Sequence, residues 1–122
     1  MADEIRGQRG AYLIPMVLHD ANSTISIKGV IINLSATGCR VLTNDRRLRI
    51  IDPKIVVGRT FLLDFDFHDL ETAGTEGKIM NVKPGPLPKF DRTVGIQFTT
   101  IDPLVKRDLN RIVMRDKARG TA

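Results

Sequence analysis

The chain has 122 residues, of which 42% are hydrophobic and 27% are charged, values typical of one soluble globular domain that exclude a disordered chain. A single cysteine excludes an internal disulfide, and the absence of a long apolar run argues against a signal peptide or a membrane span. The net charge of +5, with twelve arginines and seven lysines, is compatible with an anionic partner. The composition therefore predicts a cytoplasmic domain.

The chain begins with a polar, basic segment, residues 1–11, which predicts a flexible arm. Short apolar stretches separated by turn residues then predict strands over residues 12–19, 24–34, 39–43, 60–67, 75–82 and 93–99. Pro15 indicates an edge or a bulge in the first strand, and Gly29 indicates a bend in the second. Residues 46–57 are harder to place, and Pro84–Pro88 predicts a hairpin loop.

The clearest strand has strictly alternating residues, which predicts one buried and one exposed face. The core-facing set is Phe61, Leu63, Phe65 and Phe67. Leu62 is the only apolar residue on the outer face. Six or so strands with no helix between them favour a mainly β fold, an antiparallel barrel of six to seven strands.

The last segment changes to a helical period. Asp102 is a good N-cap, Pro103 suits the first helical position, and an apolar stripe follows, formed by Val105, Leu109, Ile112 and Val113. The sequence predicts one C-terminal helix over residues 102–117 that covers the barrel, so the barrel domain with its helix spans residues 12–117.

No catalytic motif is visible. His19 and His68 are the only histidines, and neither lies in a nucleophile, metal or general-base motif. Asp64 and Asp66 share the exposed face of their strand, which is typical of solvated carboxylates, and Cys39 fits a packing role. We therefore predict that the protein is not an enzyme and has no metal site.

Two short segments contain residues suited to binding. Arg6 and Arg9 lie on the arm, and Asn33, Ser35 and Gly38 lie at the junction of two predicted strands. Taken alone, the second segment predicts a β-turn in which Asn and Ser bond the local backbone and Gly has a positive φ. The first, taken alone, predicts a disordered basic tail.

In this order, the two segments resemble the signature of the PilZ family, an Arg-x-x-x-Arg arm followed by an Asp/Asn-x-Ser-x-x-Gly turn. Asn33, Ser35 and Gly38 match the second motif completely, 24 residues after Arg9. Val94–Phe98 looks like the family's late Gly-x-x-Phe strand, so the likeness covers about residues 6–116. The arm departs from the pattern: two residues, not three, separate its arginines. With Arg9 as the second family arginine, Arg6 substitutes from one position later.

The resemblance implies a receptor for cyclic di-GMP, a ligand with two phosphates and two guanines, and no other cofactor. Arg6, Arg9, Asn33, Ser35 and Gly38 are the implied ligand-binding residues. The implied output is a conformational change read by an effector protein, not identified by the sequence, in motility, exopolysaccharide (biofilm) or virulence control.

Two alternatives remain open at this point. One is a PilZ-fold interaction domain that binds no nucleotide, because its arm is imperfect. The other is a small basic barrel that binds single-stranded nucleic acid. A nucleic-acid polymer is the less expected partner, because only 5% of residues are aromatic and Phe61, Phe65 and Phe67 fall on the predicted core face.

Overall fold

The computed structural model describes residues 10–20, 24–44, 56–87 and 90–119. Six strands precede a helix in these ranges: β1 (Gly10–Asp20), β2 (Ser26–Leu34), β3 (Gly38–Thr43), β4 (Thr60–Phe65), β5 (Glu76–Leu87), β6 (Phe90–Thr100) and α1 (Pro103–Ala118). The strands close into a barrel in the order β1-β2-β3-β6-β5-β4, and every neighbouring pair is antiparallel. The predicted antiparallel barrel with a C-terminal helix is confirmed.

The barrel interior is filled by alternate residues of the strands. In β4, Phe61, Leu63 and Phe65 are buried while Leu62 and Asp64 face outward, as the alternation predicts. Phe67 lies beyond the end of β4 but is also buried. The single cysteine, Cys39, packs in this core, as expected.

Pro15 and Gly29, the two residues predicted to interrupt strands, lie at positions where the pairing of the strands tolerates them. A register shift between Ala11 and Ile14 precedes Pro15, and β1 pairs with β4 only from Met16 onward. Pro15 therefore lies in the part of β1 that has no β4 partner, where a missing N–H is tolerated. At Gly29, a Cβ would lie 2.5 Å from Val41 Cγ1, so glycine permits the close approach of β2 and β3.

The hairpin between β5 and β6 differs from the prediction. The predicted loop Pro84–Pro88 is wrong over most of its length, because β5 continues to Leu87 and Pro84 pairs with Arg92 of β6. A register shift between Pro84 and Leu87 explains how a proline is accommodated, since an irregular ladder does not need every N–H. β1 also begins two residues earlier than predicted, at Gly10. Most of the unplaced segment, residues 45–55, lies outside the described residues.

Helix α1 begins as predicted. The Asp102 carboxylate accepts hydrogen bonds from the backbone N–H groups of Leu104 at 2.8 Å and Val105 at 3.4 Å. Val105, Leu109 and Val113 are buried against the barrel. Across the described ranges, no helix combines the length and apolar character that crossing a membrane requires.

Candidate functional site

The turn between β2 and β3 contains the predicted Ser35 and is closed by its own hydrogen bonds. The Ser35 N–H donates to the Gly38 carbonyl at 2.9 Å, and the Thr37 N–H donates to Ser35 Oγ at 3.2 Å. Ser35 Oγ also lies 3.1 Å from Thr37 Oγ1 and 3.3 Å from the Gly38 carbonyl oxygen. Since Ser35 is only 1% exposed, its hydroxyl stabilises the turn from the buried side.

Gly38 is required by the approach of β3 to β6. A Cβ at this position would lie 2.2 Å from the backbone carbonyl oxygen of Ile96 and 3.2 Å from Gln97 Cα. The expected positive φ is wrong, because among the described glycines only Gly58 and Gly74 have one. The physical reason is that Gly38 is already the first residue of β3 and pairs with β6.

Asn33 lies at the end of β2 with its side chain half buried. Its cross-strand partners are Ala11 of β1 and Arg40 of β3, and a register shift precedes it after Ile31. Arg40 faces outward because the residues on either side of it are buried. Directly opposed residues share one face of a sheet, so Asn33 and Arg40 are neighbours on the outer wall.

The row of outer-wall residues that starts with Asn33 and Arg40 continues across two further strands. Arg40 pairs with Gly95 of β6, and Gly95 pairs with Asn81 of β5. A Cβ on Gly95 would lie 2.9 Å from Asn81 Oδ1, so the Asn81 amide lies directly over the bare backbone of β6. Within the described part of the chain, Asn81 Oδ1 is buried and has no hydrogen-bond partner.

A depression of about 240 Å³ lies over this row. It is lined by Thr37–Arg40, Met80, Asn81 and Gly95–Gln97, so the turn that contains Ser35 forms one of its walls. Sequence reasoning missed Arg40, Asn81 and the position of Gly95 in this wall, because only the register of four strands brings them together. Arg92 pairs with Thr43 at the other end of β3, away from this depression.

The two predicted arm residues, Arg6 and Arg9, lie outside the described residues. The register nevertheless fixes where the arm is attached, because Gly10 pairs with Leu34 and Ala11 pairs with Asn33. Arg9 directly precedes Gly10 in the sequence.

A second cluster ties this end of β1 to the helix. The Tyr12 hydroxyl donates to Asp116 Oδ2 of α1 at 2.8 Å, and the Tyr12 ring meets Phe67 edge to face at 5.1 Å. Burial and the neighbouring carboxylate raise the pKa of Tyr12, and the hydrogen bond from Tyr12 lowers the pKa of Asp116. Phe67 in turn contacts the exposed His68, whose φ is 54°.

The other histidine lies between a hydroxyl and a carboxylate. His19 Nδ1 is 2.9 Å from Ser26 Oγ, while His19 Nε2 is 3.7 Å from Asp64 Oδ2, beyond hydrogen-bond range. The Asp64 side chain is 72% exposed, so it does not supply the buried, hydrogen-bonded carboxylate of a catalytic triad. In the described ranges, no three potential metal ligands come close enough to hold an ion.

Comparisons with known proteins identify the fold. The family model for the PilZ domain matches residues 5–115. No curated protein matches the sequence significantly. Among solved structures, the inhibitor of motility MotI/DgrA from Bacillus subtilis has a TM-score of 0.69 at 16% identity, covering 91% of this chain and 49% of that one.

Two Escherichia coli structures are also similar. The PilZ domain of YcgR with c-di-GMP has a TM-score of 0.64 at 14% identity, with 92% of each chain covered. YcgR in complex with c-di-GMP has a TM-score of 0.63 at 15% identity, covering 93% of this chain and 49% of that one. This chain thus spans about half the length of two of the three structures. With the family model matching nearly its whole length, the chain belongs to the PilZ domain family.

Proposed function

We propose that this protein is a receptor for cyclic di-GMP, and that it binds the nucleotide on the outer wall of the barrel beside the β2–β3 turn. The observation that supports this most strongly is the register of β1 with β2. It places Gly10 and Ala11, the residues that follow the arm in sequence, opposite Leu34 and Asn33, beside the turn formed with Ser35 and Gly38. The start of β1 and the three described candidate residues therefore lie at one end of two paired strands.

The residue types suit a doubly anionic purine ligand. Guanine presents O6 and N7 as adjacent acceptors, which the fork of an arginine can engage with two hydrogen bonds, worth about 1–3 kcal/mol of discrimination. We assign Arg6 and Arg9 to the guanine edges and the phosphates, and Asn33 to a polar edge of the ligand. Ser35 and Gly38 act by shaping the turn, because one is buried and the other is packed against β6.

The depression beside the turn supplies further contacts. Arg40 brings a positive charge to its wall, and the Asn81 amide, which lies over the backbone of Gly95, adds polar groups. Asn81 Oδ1 is a buried acceptor in need of a donor, and the N1–H and amino groups of guanine are donors. Contact with such a donor requires the Asn81 amide to turn toward the depression that it lines, and it would then satisfy an atom that is otherwise buried at a free-energy cost.

Nucleotide binding would signal by ordering the arm. Fixing a residue's backbone costs about 1–2 kcal/mol, so in this proposal the bound and free proteins differ in shape at residues 1–9, which precede β1. In our proposal, a partner protein recognises that difference, and this recognition controls motility, exopolysaccharide synthesis or virulence. The inhibitor of motility among the similar structures supports an adaptor role over an enzymatic one.

The test is a calorimetric titration with cyclic di-GMP. We expect saturable binding, and we expect Arg9→Ala to weaken it at least tenfold, because one bidentate guanidinium contact is lost. Lys28→Ala is the matched control: it removes an exposed positive charge from β2, five residues from Asn33, and should leave the affinity unchanged.

Two results would contradict the proposal. Absence of heat at high micromolar nucleotide would favour an interaction domain that binds no ligand. Tight binding of mixed single-stranded oligonucleotides in a gel shift would favour a nucleic-acid barrel, although none of the aromatic side chains in the described ranges is exposed for base stacking.

A further inference from the structure

The outward face of α1 combines arginines with large apolar side chains. At 100° per residue, Leu104, Arg107, Arg111, Met114 and Arg115 fall within an arc of about 100°. Leu104 is 61% exposed and Met114 is 46% exposed, although both are large apolar residues. The buried stripe of the helix lies on the opposite side, so this outer face is not needed to hold α1 on the barrel.

The arginines of this face are held in place by carboxylates on the same helix. Asp108 Oδ1 accepts from Arg107 Nε at 3.3 Å and from Arg111 Nη2 at 2.7 Å. Arg115 Nη2 donates to Asp116 Oδ1 at 3.4 Å. One Asp108 carboxylate between two guanidinium groups leaves the face positive. These ion pairs also restrict side chains that would otherwise lose more rotamer freedom on binding.

We propose that this face of α1 docks an acidic amphipathic segment of a partner protein. Carboxylates of the partner would engage Arg107, Arg111 and Arg115, because the planar fork of arginine matches a carboxylate with two hydrogen bonds. Two apolar side chains of the partner would contact Leu104 and Met114, which lie about 15 Å apart along the helix. Large apolar side chains next to arginines are a combination that is common in protein–protein interfaces.

The chemistry of the helix favours a protein over the two other anionic surfaces. A lipid-binding helix inserts a broad apolar face, but here the broad face, with Leu109 and Val113, is already buried in the barrel. Nucleic acid is gripped by stacking side chains along with cations, and the sequence Pro103–Ala118 contains no aromatic residue. Two apolar anchors among fixed guanidinium groups therefore fit an acidic protein segment best.

The surface is also connected to the proposed nucleotide site. Asp116, which follows Arg115, accepts the hydrogen bond from Tyr12, and Tyr12 is only three residues after Arg9. A change at the start of β1 on nucleotide binding can thus reach the helix through the Tyr12–Asp116 hydrogen bond. That α1 serves as the output of the receptor rests on the proposed function; the docking chemistry itself depends only on the exposed residues of the helix.

The test uses a synthetic helical peptide with a leucine stripe flanked by glutamates, titrated into the 15N-labelled full chain. We expect amide shifts that concentrate on α1 around Arg107, Arg111 and Met114. Arg111→Glu should weaken binding at least tenfold. Lys106→Glu is the matched control, because it makes the same charge change about 130° around the helix from the centre of the face, and it should change the affinity less than twofold. Circular dichroism checks that both variants keep the native fold.

Several outcomes would overturn the inference. Equal losses in Arg111→Glu and Lys106→Glu would show only general charge attraction, and shifts confined to the barrel would place the surface elsewhere. Tighter binding of phosphatidylglycerol vesicles or of oligo-dT, lost in Arg111→Glu, would assign the face to a lipid or a nucleic acid. Calorimetry with cyclic di-GMP is run separately. If the nucleotide does not bind but the peptide does, only the receptor proposal is refuted. If the nucleotide binds but the peptide does not, only the docking surface is refuted.

Discussion

Gly38→Ala tests whether the glycine of the signature turn is there for packing. The added Cβ would lie 2.2 Å from the Ile96 carbonyl oxygen, and that atom belongs to the backbone of β6. Reaching a van der Waals distance of about 3.5 Å requires β3 and β6 to separate locally by roughly 1 Å. The hydrogen bond from the Phe98 N–H to the Thr37 carbonyl, now 2.8 Å long, would then exceed hydrogen-bond range.

The expected loss follows from these two effects. Overpacking of this kind costs about 1–3 kcal/mol, and the lost hydrogen bond adds about 0.5–1.5 kcal/mol, so we expect Gly38→Ala to lower the free energy of unfolding by about 2–4 kcal/mol. Urea denaturation followed by circular dichroism measures this. Gly74→Ala is the comparison: its φ of 87° produces strain but its surroundings are open, so a loss of about 1 kcal/mol is expected.

The same pair of variants separates folding from ligand binding. Gly74→Ala should bind cyclic di-GMP with unchanged affinity, whereas any weakening in Gly38→Ala should accompany its loss of stability. A Gly38→Ala protein within about 0.5 kcal/mol of the parent would refute the packing argument. The glycine would then be explained by contact with the ligand alone.

Three further changes test contacts that hold the barrel and the helix together. Tyr12→Phe should lower stability by about 1–2 kcal/mol at neutral pH, because the hydrogen bond to Asp116 is lost. That bond holds the pKa of Asp116 below its ordinary value of 3.8. The melting temperatures of parent and variant should therefore converge only as the pH falls below about 4. Equal melting temperatures at pH 7 would contradict the contact. Asp102→Ala should lose about 1 kcal/mol in urea titrations and reduce the helical circular dichroism signal by end fraying; an unchanged midpoint would argue against the N-cap. Arg59→Met should lower the free energy of unfolding by about 1.5–3 kcal/mol, because the buried Asp20 carboxylate loses a charge-assisted hydrogen bond, and an unchanged urea midpoint would contradict the contribution of this ion pair.

Local patterns in the sequence were sufficient to predict the elements. Strict alternation predicted which residues of β4 are buried, and Asp102 followed by Pro103 predicted where α1 begins. Both are properties of consecutive residues, so no tertiary information is needed. The prolines at 84–88 misled the prediction, because a strand can accommodate proline at an irregular position that only the partner strand reveals.

The candidate site was predictable only in part. Asn33, Ser35 and Gly38 were found because they are close together in the sequence. Arg40 and Asn81 lie in the same wall only because two register shifts, after Ile31 and after Ile79, align four strands. A bulge displaces every following side chain, and single-residue bulges leave no clear mark in a sequence. The orphaned oxygen of Asn81 is likewise visible only once the packing over Gly95 is known.

We propose that the arm arginines and the β2–β3 turn form one nucleotide-binding site. A titration of the 15N-labelled protein with cyclic di-GMP, followed through the amide resonances, tests this. We expect saturable shifts at Arg9, Asn33, Thr37 and Gly95, together with the side-chain amide of Asn81, while the resonance of Lys28 on the far part of β2 stays unchanged. Unchanged resonances of the arm and the turn at saturating nucleotide would contradict it.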